Sequence, residues 1–321
     1  MIIRVTFALL ICLCVSIFTT PSTHATNINR LVIFGDSLSD QGRLYEFFHD
    51  KIPVSPPYWY GRFSNGPVWT DILSDRYVIK NLSEGGATLV NYSKYSLGIV
   101  YLYITYLGEE ITHFLKSDVF LPTDLVIIWL GGNDYIAYDW ITQHDMERAV
   151  RELYLEILRL RLKGAQQVLV INLPDMSQTP LAKKEKDTDR LHLLTMSHNQ
   201  RLEETLLSLL PSDFIQIYDA YAVFENILTF PDHYGLSDAT TPCYTGRMWR
   251  NHTAPPEATA SLEEGILPVN RKVAKMPSPP IRHLRNSPDC AGMLFFDDLH
   301  PTTFAHGIIA DKLDQFIQEN Y

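Results

Sequence analysis

With 321 residues, 46% of them hydrophobic, the chain is long enough to bury a core of its own. Its 37 Asp and Glu outnumber its 27 Lys and Arg, and the formal charge of −10 at pH 7 leaves no basic footprint for DNA or RNA. Nucleic-acid binding is therefore excluded, and only the apolar run near the N-terminus asks for a membrane-related explanation.

That run follows Arg4, the one charge in residues 1–18, and ends at Phe18; TTPSTHA then leads to Ala25. A basic start, an apolar middle and small residues before the cut predict a secretory signal peptide over residues 1–25. The mature chain, residues 26–321, is expected to be secreted as a single domain. Cys12 and Cys14 follow Ile11 and Leu13, not the small residues lipoprotein processing prefers, so a lipid anchor is the weaker reading. Removal of the signal leaves Cys243 and Cys290, which in an exported protein predict a disulfide; two separate buried thiols are the alternative.

Residues 31–34 are apolar and predict a buried strand, broken by Gly35-Asp36-Ser37. Ser37 then stands at the tip of a parallel strand, where open α/β sheets carry their sites. Ordinary strand-then-turn grammar accounts for this stretch equally well. Residues 42–66 are irregular and rich in Tyr, Trp and Phe. They read first as a loop packed on the sheet, and second as a greasy wall beside Ser37 for an acyl chain.

A short helix is predicted over 67–73 and a strand over 77–82, ending in Ser83-Glu84-Gly85-Gly86. Ile104, Leu107, Ile111, Phe114 and Leu115 recur at helical spacing. Residues 124–130 form a near-continuous apolar strand closed by Gly131-Gly132-Asn133-Asp134. A helix follows over 146–160, a strand over 167–173, a helix over 189–210 and a strand over 214–218. This alternation predicts an α/β fold: a three-layer α/β/α domain with a parallel five-stranded sheet.

Residues 244–289 depart from the pattern. They hold seven of the chain's 19 prolines, lack a sustained apolar period and lie just inside the two cysteines. This segment is expected to be an exposed loop insertion open to nicking, with the disulfide keeping its ends attached. Residues 293–296 are apolar and lead into Asp297-Asp298-Leu299-His300-Pro301, and a closing amphipathic helix covers 304–316.

Serine chemistry needs a base, an orienting carboxylate and oxyanion donors. Ser37 is the candidate nucleophile, His300 the base and Asp297 the orienting group, with Asp298 a near rival. The Ser37 backbone N–H, the Gly86 N–H and the Asn133 amide are candidate oxyanion donors. A turn glycine at 86 and a helix cap at 133 are the plain alternatives. His233 and His306 also sit in suggestive neighbourhoods but are read as non-catalytic. No residue set has metal-ligand spacing, and no cofactor is expected.

Four blocks carry a likeness: GDS at 35–37, NLSEGGAT at 81–88, GGND at 131–134 and DDLHP at 297–301. In this order they resemble the SGNH hydrolases, also called GDSL lipases or esterases. The resemblance implies a flavodoxin-like sheet, a triad of Ser37, Asp297 and His300, and an oxyanion hole of Ser37, Gly86 and Asn133. GRFSNGPVW at 61–69, NLPDMSQTP at 172–180 and the FFDDLHPT ending narrow it to secreted bacterial phospholipases, lysophospholipases and lipid acyltransferases. Arg43 stands where such proteins often carry asparagine and is expected to alter the loop entrance; Leu82 stands where alanine is frequent.

The expected activity is hydrolysis of lysophospholipid or phospholipid acyl esters, with cholesterol a possible acyl acceptor. The expected partners are a membrane surface, met transiently, and an activating protease that cuts near 262–267. A carbohydrate acetylesterase of the same fold and a non-catalytic secreted binding protein are the alternatives.

Overall fold

The computed structural model describes residues 27–92, 105–137, 142–248 and 288–321. The signal segment and the expected protease site at 262–267 lie outside the described residues. Five strands form one parallel sheet: β1 (Arg30–Gly35), β2 (Val78–Asn81), β3 (Asp124–Trp129), β4 (Val168–Ile171) and β5 (Ile215–Tyr218). Their order is β2-β1-β3-β4-β5, the flavodoxin-like arrangement. All residues of β3 and β4 are buried, which is why both read as unbroken apolar runs.

Strand alternation sends Val32, Phe34, Val126, Ile128 and Val170 to one face and Leu31, Ile33, Ile127, Leu169 and Ile171 to the other. Fully burying side chains of this size is worth roughly 1.5–3 kcal/mol each. The first helices, α1 (Arg43–Phe47) and α2 (Trp69–Leu73), lie between β1 and β2. Next come α3 (Leu107–Ser117), α4 (Gly132–Ile136) and α5 (Gln143–Leu162), then α6 (Pro180–Glu185), α7 (Thr188–Leu209), α8 (Ala220–Thr229) and α9 (Thr303–Asn320). Residues of α3, α5 and α7 cover the first face; Trp69 and Leu73 of α2 and Ala310, Leu313 and Ile317 of α9 cover the second. Right-handed crossovers require this division, because the connection after β1 runs opposite to those after β2, β3 and β4.

Periodicity located all five strands of this sheet. It passed over α1, α6 and α8, and a small parallel pair, β6 (Asp238–Pro242) with β7 (Met293–Phe295). Side chains cap two of the missed helices: Asp219 accepts from Ala222 N at 3.0 Å, and Thr179 accepts from Ala182 N at 3.2 Å. Cys243 directly follows β6 and is joined to Cys290 with an Sγ–Sγ distance of 2.01 Å. Among the described residues no helix is long and apolar enough to cross a membrane.

Candidate active site

Strands β1 and β3 are neighbours whose outgoing connections run in opposite directions, so their C-terminal ends open a crevice. Ser37 follows β1 there, and Asn133 follows β3 on the first turn of α4. The third segment arrives from β7. Asp297 Oδ1 accepts from Leu299 N at 2.8 Å and His300 N at 2.7 Å, winding DDLH into a tight turn. That turn brings the Asp297 carboxylate to the ring of its own His300. Beyond it, Thr302 caps α9 by accepting from Ala305 N at 3.1 Å, which fixes where the turn ends.

His300 Nδ1 lies 2.8 Å from Asp297 Oδ2, and Nε2 lies 2.9 Å from Ser37 Oγ. A neutral imidazole with its proton on Nδ1 donates to the carboxylate and accepts the serine hydroxyl. All three side chains are buried. Burial alone would raise the Asp297 carboxyl. The electrostatic interaction with His300 and the hydrogen bonds from His300 and Tyr58 outweigh it and hold the pKa below the ordinary carboxylate value. Asp298, the rival, turns away to Lys184 Nζ at 2.5 Å.

The expected oxyanion donors share this crevice. Gly86 takes φ +82°, a backbone setting that side chains resist. Among the described residues, neither the Ser37 nor the Gly86 N–H has a protein acceptor. Asn133 Nδ2 donates to Ala87 O at 3.0 Å, which uses one of its two amide hydrogens. Asn133 therefore ties its helix to the glycine loop while keeping a donor for a ligand.

Two carboxylates that received no role from the sequence complete this tie. Asp134 accepts from Leu89 N at 2.8 Å and Val90 N at 3.2 Å, and burial pushes its pKa up to about 7. Asp40 accepts from Gly85 N at 2.8 Å and Gly42 N at 2.8 Å, joining the serine turn to the glycine loop. Gly85 has no room for a side chain, since an added Cβ would meet the Phe63 ring at 2.4 Å.

An apolar cavity of about 120 Å³ opens beside Ser37, Asn133 and His300. Ile171, Val223, Phe224, Ile227, Ile309 and Leu313 are among its lining, so β4, α8 and α9 contribute walls. Residues 42–66 contribute nothing to the lining, and the reading of that stretch as an acyl wall is corrected. It packs instead on the far side of the triad. Phe63 lies 5.1 Å from the His300 ring, and Tyr58 Oη donates to Asp297 Oδ2 at 2.6 Å. Tyr58 is 239 residues from Asp297, and no local pattern could have found it.

Arg43 does not line the cavity. Its Nε meets Glu84 Oε2 at 3.2 Å and its Nη2 meets His113 Nδ1 at 3.0 Å, behind the glycine loop. His306 is buried, held neutral by a pKa pushed down to about 3, and accepts from Trp69 N at 3.4 Å. His233 stacks on Phe230 with ring centroids 5.4 Å apart.

The family model described as GDSL-like Lipase/Acylhydrolase matches residues 31–313. Over 305 residues, 91% of each chain, the sequence is 36% identical to a phosphatidylcholine-sterol acyltransferase of Aeromonas hydrophila. It is 29% identical over 303 residues to the secreted effector protein SseJ of Salmonella typhimurium, covering 92% of this chain and 65% of that protein. It is 25% identical over 302 residues to a thermolabile hemolysin of Vibrio parahaemolyticus, covering 89% of this chain and 63% of that protein. A solved carbohydrate acetylesterase from Sinorhizobium meliloti aligns with a TM-score of 0.40 and 21% identity, over 59% of this chain and 83% of that chain.

Proposed function

We propose, from the premise that the chain belongs to the GDSL-like lipase/acylhydrolase family and hydrolyses carboxylic esters, that its substrates are membrane lipids. It removes acyl chains from lysophospholipids and phospholipids, and it can pass them to cholesterol. The observation that carries this reading is the opening of the Ser37–His300 pair onto a cavity with a mostly apolar lining. An acetyl group would leave most of that apolar lining uncovered, which disfavours the acetylesterase alternative. A binding module has no need of a serine poised on an imidazole.

In this reading His300 Nε2 takes the Ser37 proton as Oγ attacks the ester carbonyl carbon. Asp297 holds the imidazole by Nδ1 and balances the charge it gains. The Ser37 N–H, the Gly86 N–H and the Asn133 amide receive the oxyanion. Collapse expels the glycerol-side alcohol, which leaves with the proton from His300. Water, or the cholesterol hydroxyl, then gives its proton to His300 and attacks the acyl-enzyme. The acid or the steryl ester departs and Ser37 is restored. Support for transfer to a sterol comes from the name of the Aeromonas relative.

Residues 1–25 direct secretion, residues 26–321 fold as one domain, and the protein meets a membrane surface only during turnover. The insertion at 244–289 directly precedes Asp297 and His300, so its intact form hinders the lipid entrance and a protease cut relieves it. The deciding experiment is incubation with mixed phospholipids and cholesterol, followed by lipid mass spectrometry. Free fatty acid and cholesteryl ester are expected from the wild type and neither from Ser37→Ala. Absence of both products from the wild type would refute the lipid reading.

A further inference from the structure

We propose that Tyr58 is a positioning residue for the catalytic pair, holding the Asp297 carboxylate by its second oxygen, and that the cluster closed by the Cys243–Cys290 disulfide seats it there. The inference rests on Asp297 serving His300 as described above. Asp297 Oδ1 is occupied by two backbone N–H groups of its own turn and lies 2.9 Å from His300 Nδ1. Oδ2 accepts from His300 Nδ1 at 2.8 Å and from Tyr58 Oη at 2.6 Å. Tyr58 is 1% exposed, so water cannot take its place. Burial and the neighbouring Asp297 charge hold the phenol protonated at every working pH, which makes it a donor and never an acid or base.

A donor at that position does two things. It sets the plane of the carboxylate, and so the direction in which His300 Nε2 faces Ser37 Oγ. It also draws charge from Asp297, which makes His300 less basic than a carboxylate bonded to the ring alone would. The other titratable groups facing the pair are Asp36 and His306 toward His300, and Tyr244 and Asp298 toward Tyr58.

The seat comes from three chain segments. Tyr58 meets Phe296 edge-on at 5.0 Å and Tyr244 at 5.9 Å, and Tyr244 stacks on Phe296 at 5.7 Å. Tyr58, Cys290 and Phe296 form one buried cluster, with Cys243, Tyr244 and Met248 packed against it. Backbone bonds stitch it together: Tyr244 N to Phe296 O at 2.7 Å, Val54 N to Met248 O at 2.8 Å and Tyr58 N to Val54 O at 3.2 Å. The disulfide holds the two ends of this stitching, Cys243 beside Tyr244 and Cys290 in the cluster itself.

Tyr58→Phe keeps the ring and its packing and removes only the hydroxyl. On a soluble ester, kcat should fall on the order of tenfold with KM unchanged, as for loss of one bond to a charged group. The acid limb of kcat/KM, which reports His300 in the free enzyme, should move to higher pH, because an undercompensated carboxylate makes the imidazole more basic. The disulfide-free variant carrying Cys243→Ser and Cys290→Ser should move both readouts in the same direction, and should add little on a Tyr58→Phe background. A Tyr58→Phe enzyme with wild-type kcat and an unmoved acid limb overturns the proposal. So does a fall in kcat that tracks a loss of folded protein by circular dichroism while the limb stays in place. Full turnover by His300→Ala would instead overturn the triad reading, whereas inactive Ser37→Ala and His300→Ala with a wild-type-like Tyr58→Phe would remove this inference alone.

Discussion

Replacing Asn133 with alanine separates an oxyanion donor from a structural cap. The side chain has two amide hydrogens, and the structure accounts for one, on Ala87 O at 3.0 Å. If the other meets the oxyanion, its loss should lower kcat by roughly 10²–10³, or about 2.7–4 kcal/mol of transition-state stabilisation. Loss of the Ala87 bond is a separate effect of about 1 kcal/mol on folding. Asp134 still binds Leu89 N and Val90 N, so the glycine loop stays attached to α4. Initial rates on a soluble ester, with a thermal melt of each protein, separate the two contributions. The expected result is a much lower kcat, a nearly unchanged KM and a drop in melting temperature of a few degrees. A normal kcat with a raised KM would refute the donor role and leave Asn133 as a cap.

Ser37→Ala and His300→Ala should each remove most ester turnover without unfolding the protein, and a fluorophosphonate should label the wild type at Ser37 only; turnover by Ser37→Ala at the wild-type rate contradicts this. Val223→Trp, placed in the cavity wall, should shift the preferred acyl chain to shorter lengths, read from a chain-length series of esters; an unchanged profile means the acyl group lies elsewhere. His198 is buried with its pKa pushed down from 6.5 to about 4, so its share of stability is present above pH 6.5 and lost as pH falls toward 4, roughly 3 kcal/mol in full. The melting temperature of His198→Gln should accordingly depend less steeply on pH across that window than that of the wild type, and parallel curves would refute it. Limited proteolysis should cut near residues 262–267, leave fragments joined on non-reducing gels and raise lipid activity; joined fragments without a rise would remove the activation idea and keep the disulfide.

The sheet was legible because its strands are short apolar runs bounded by Gly, Pro and Asp, and burial on both faces makes such runs conspicuous in β3 and β4. Ser37, Asn133 and His300 were legible for a related reason, since each ends or follows such a run. The apolar cavity was not. Val223, Phe224 and Ile227 have ordinary helical spacing, and only the packing of α8 and α9 on β4 turns them into a wall. Residues 42–66 show the same limit in reverse. Their aromatic content was visible, but the side of the triad they cover is a matter of tertiary placement.

The supports of the site have a common physical origin. Its four segments are loops at strand ends, and backbone contacts between them such as Glu84 N to Gly35 O at 3.0 Å are too few to hold all four. Something else must fix Ser37, Gly86, Asn133 and His300 within a hydrogen bond's tolerance, and the molecule uses buried carboxylates that accept backbone N–H groups. Asp40 joins the serine turn to the glycine loop, Asp134 joins that loop to α4, Glu110 accepts from Gly35 N at 3.0 Å, and Asp297 winds its own turn. Burial raises the pKa of Asp40, Asp134 and Glu110, so these ties carry an electrostatic cost that an apolar core would avoid. Asp297 differs: His300 and Tyr58 compensate its charge, and it alone of the four is held below the ordinary value. The carboxylate beside the imidazole is the one given a second side-chain donor, so in this candidate site the accounting of hydrogen-bond donors separates scaffold from the groups proposed for chemistry.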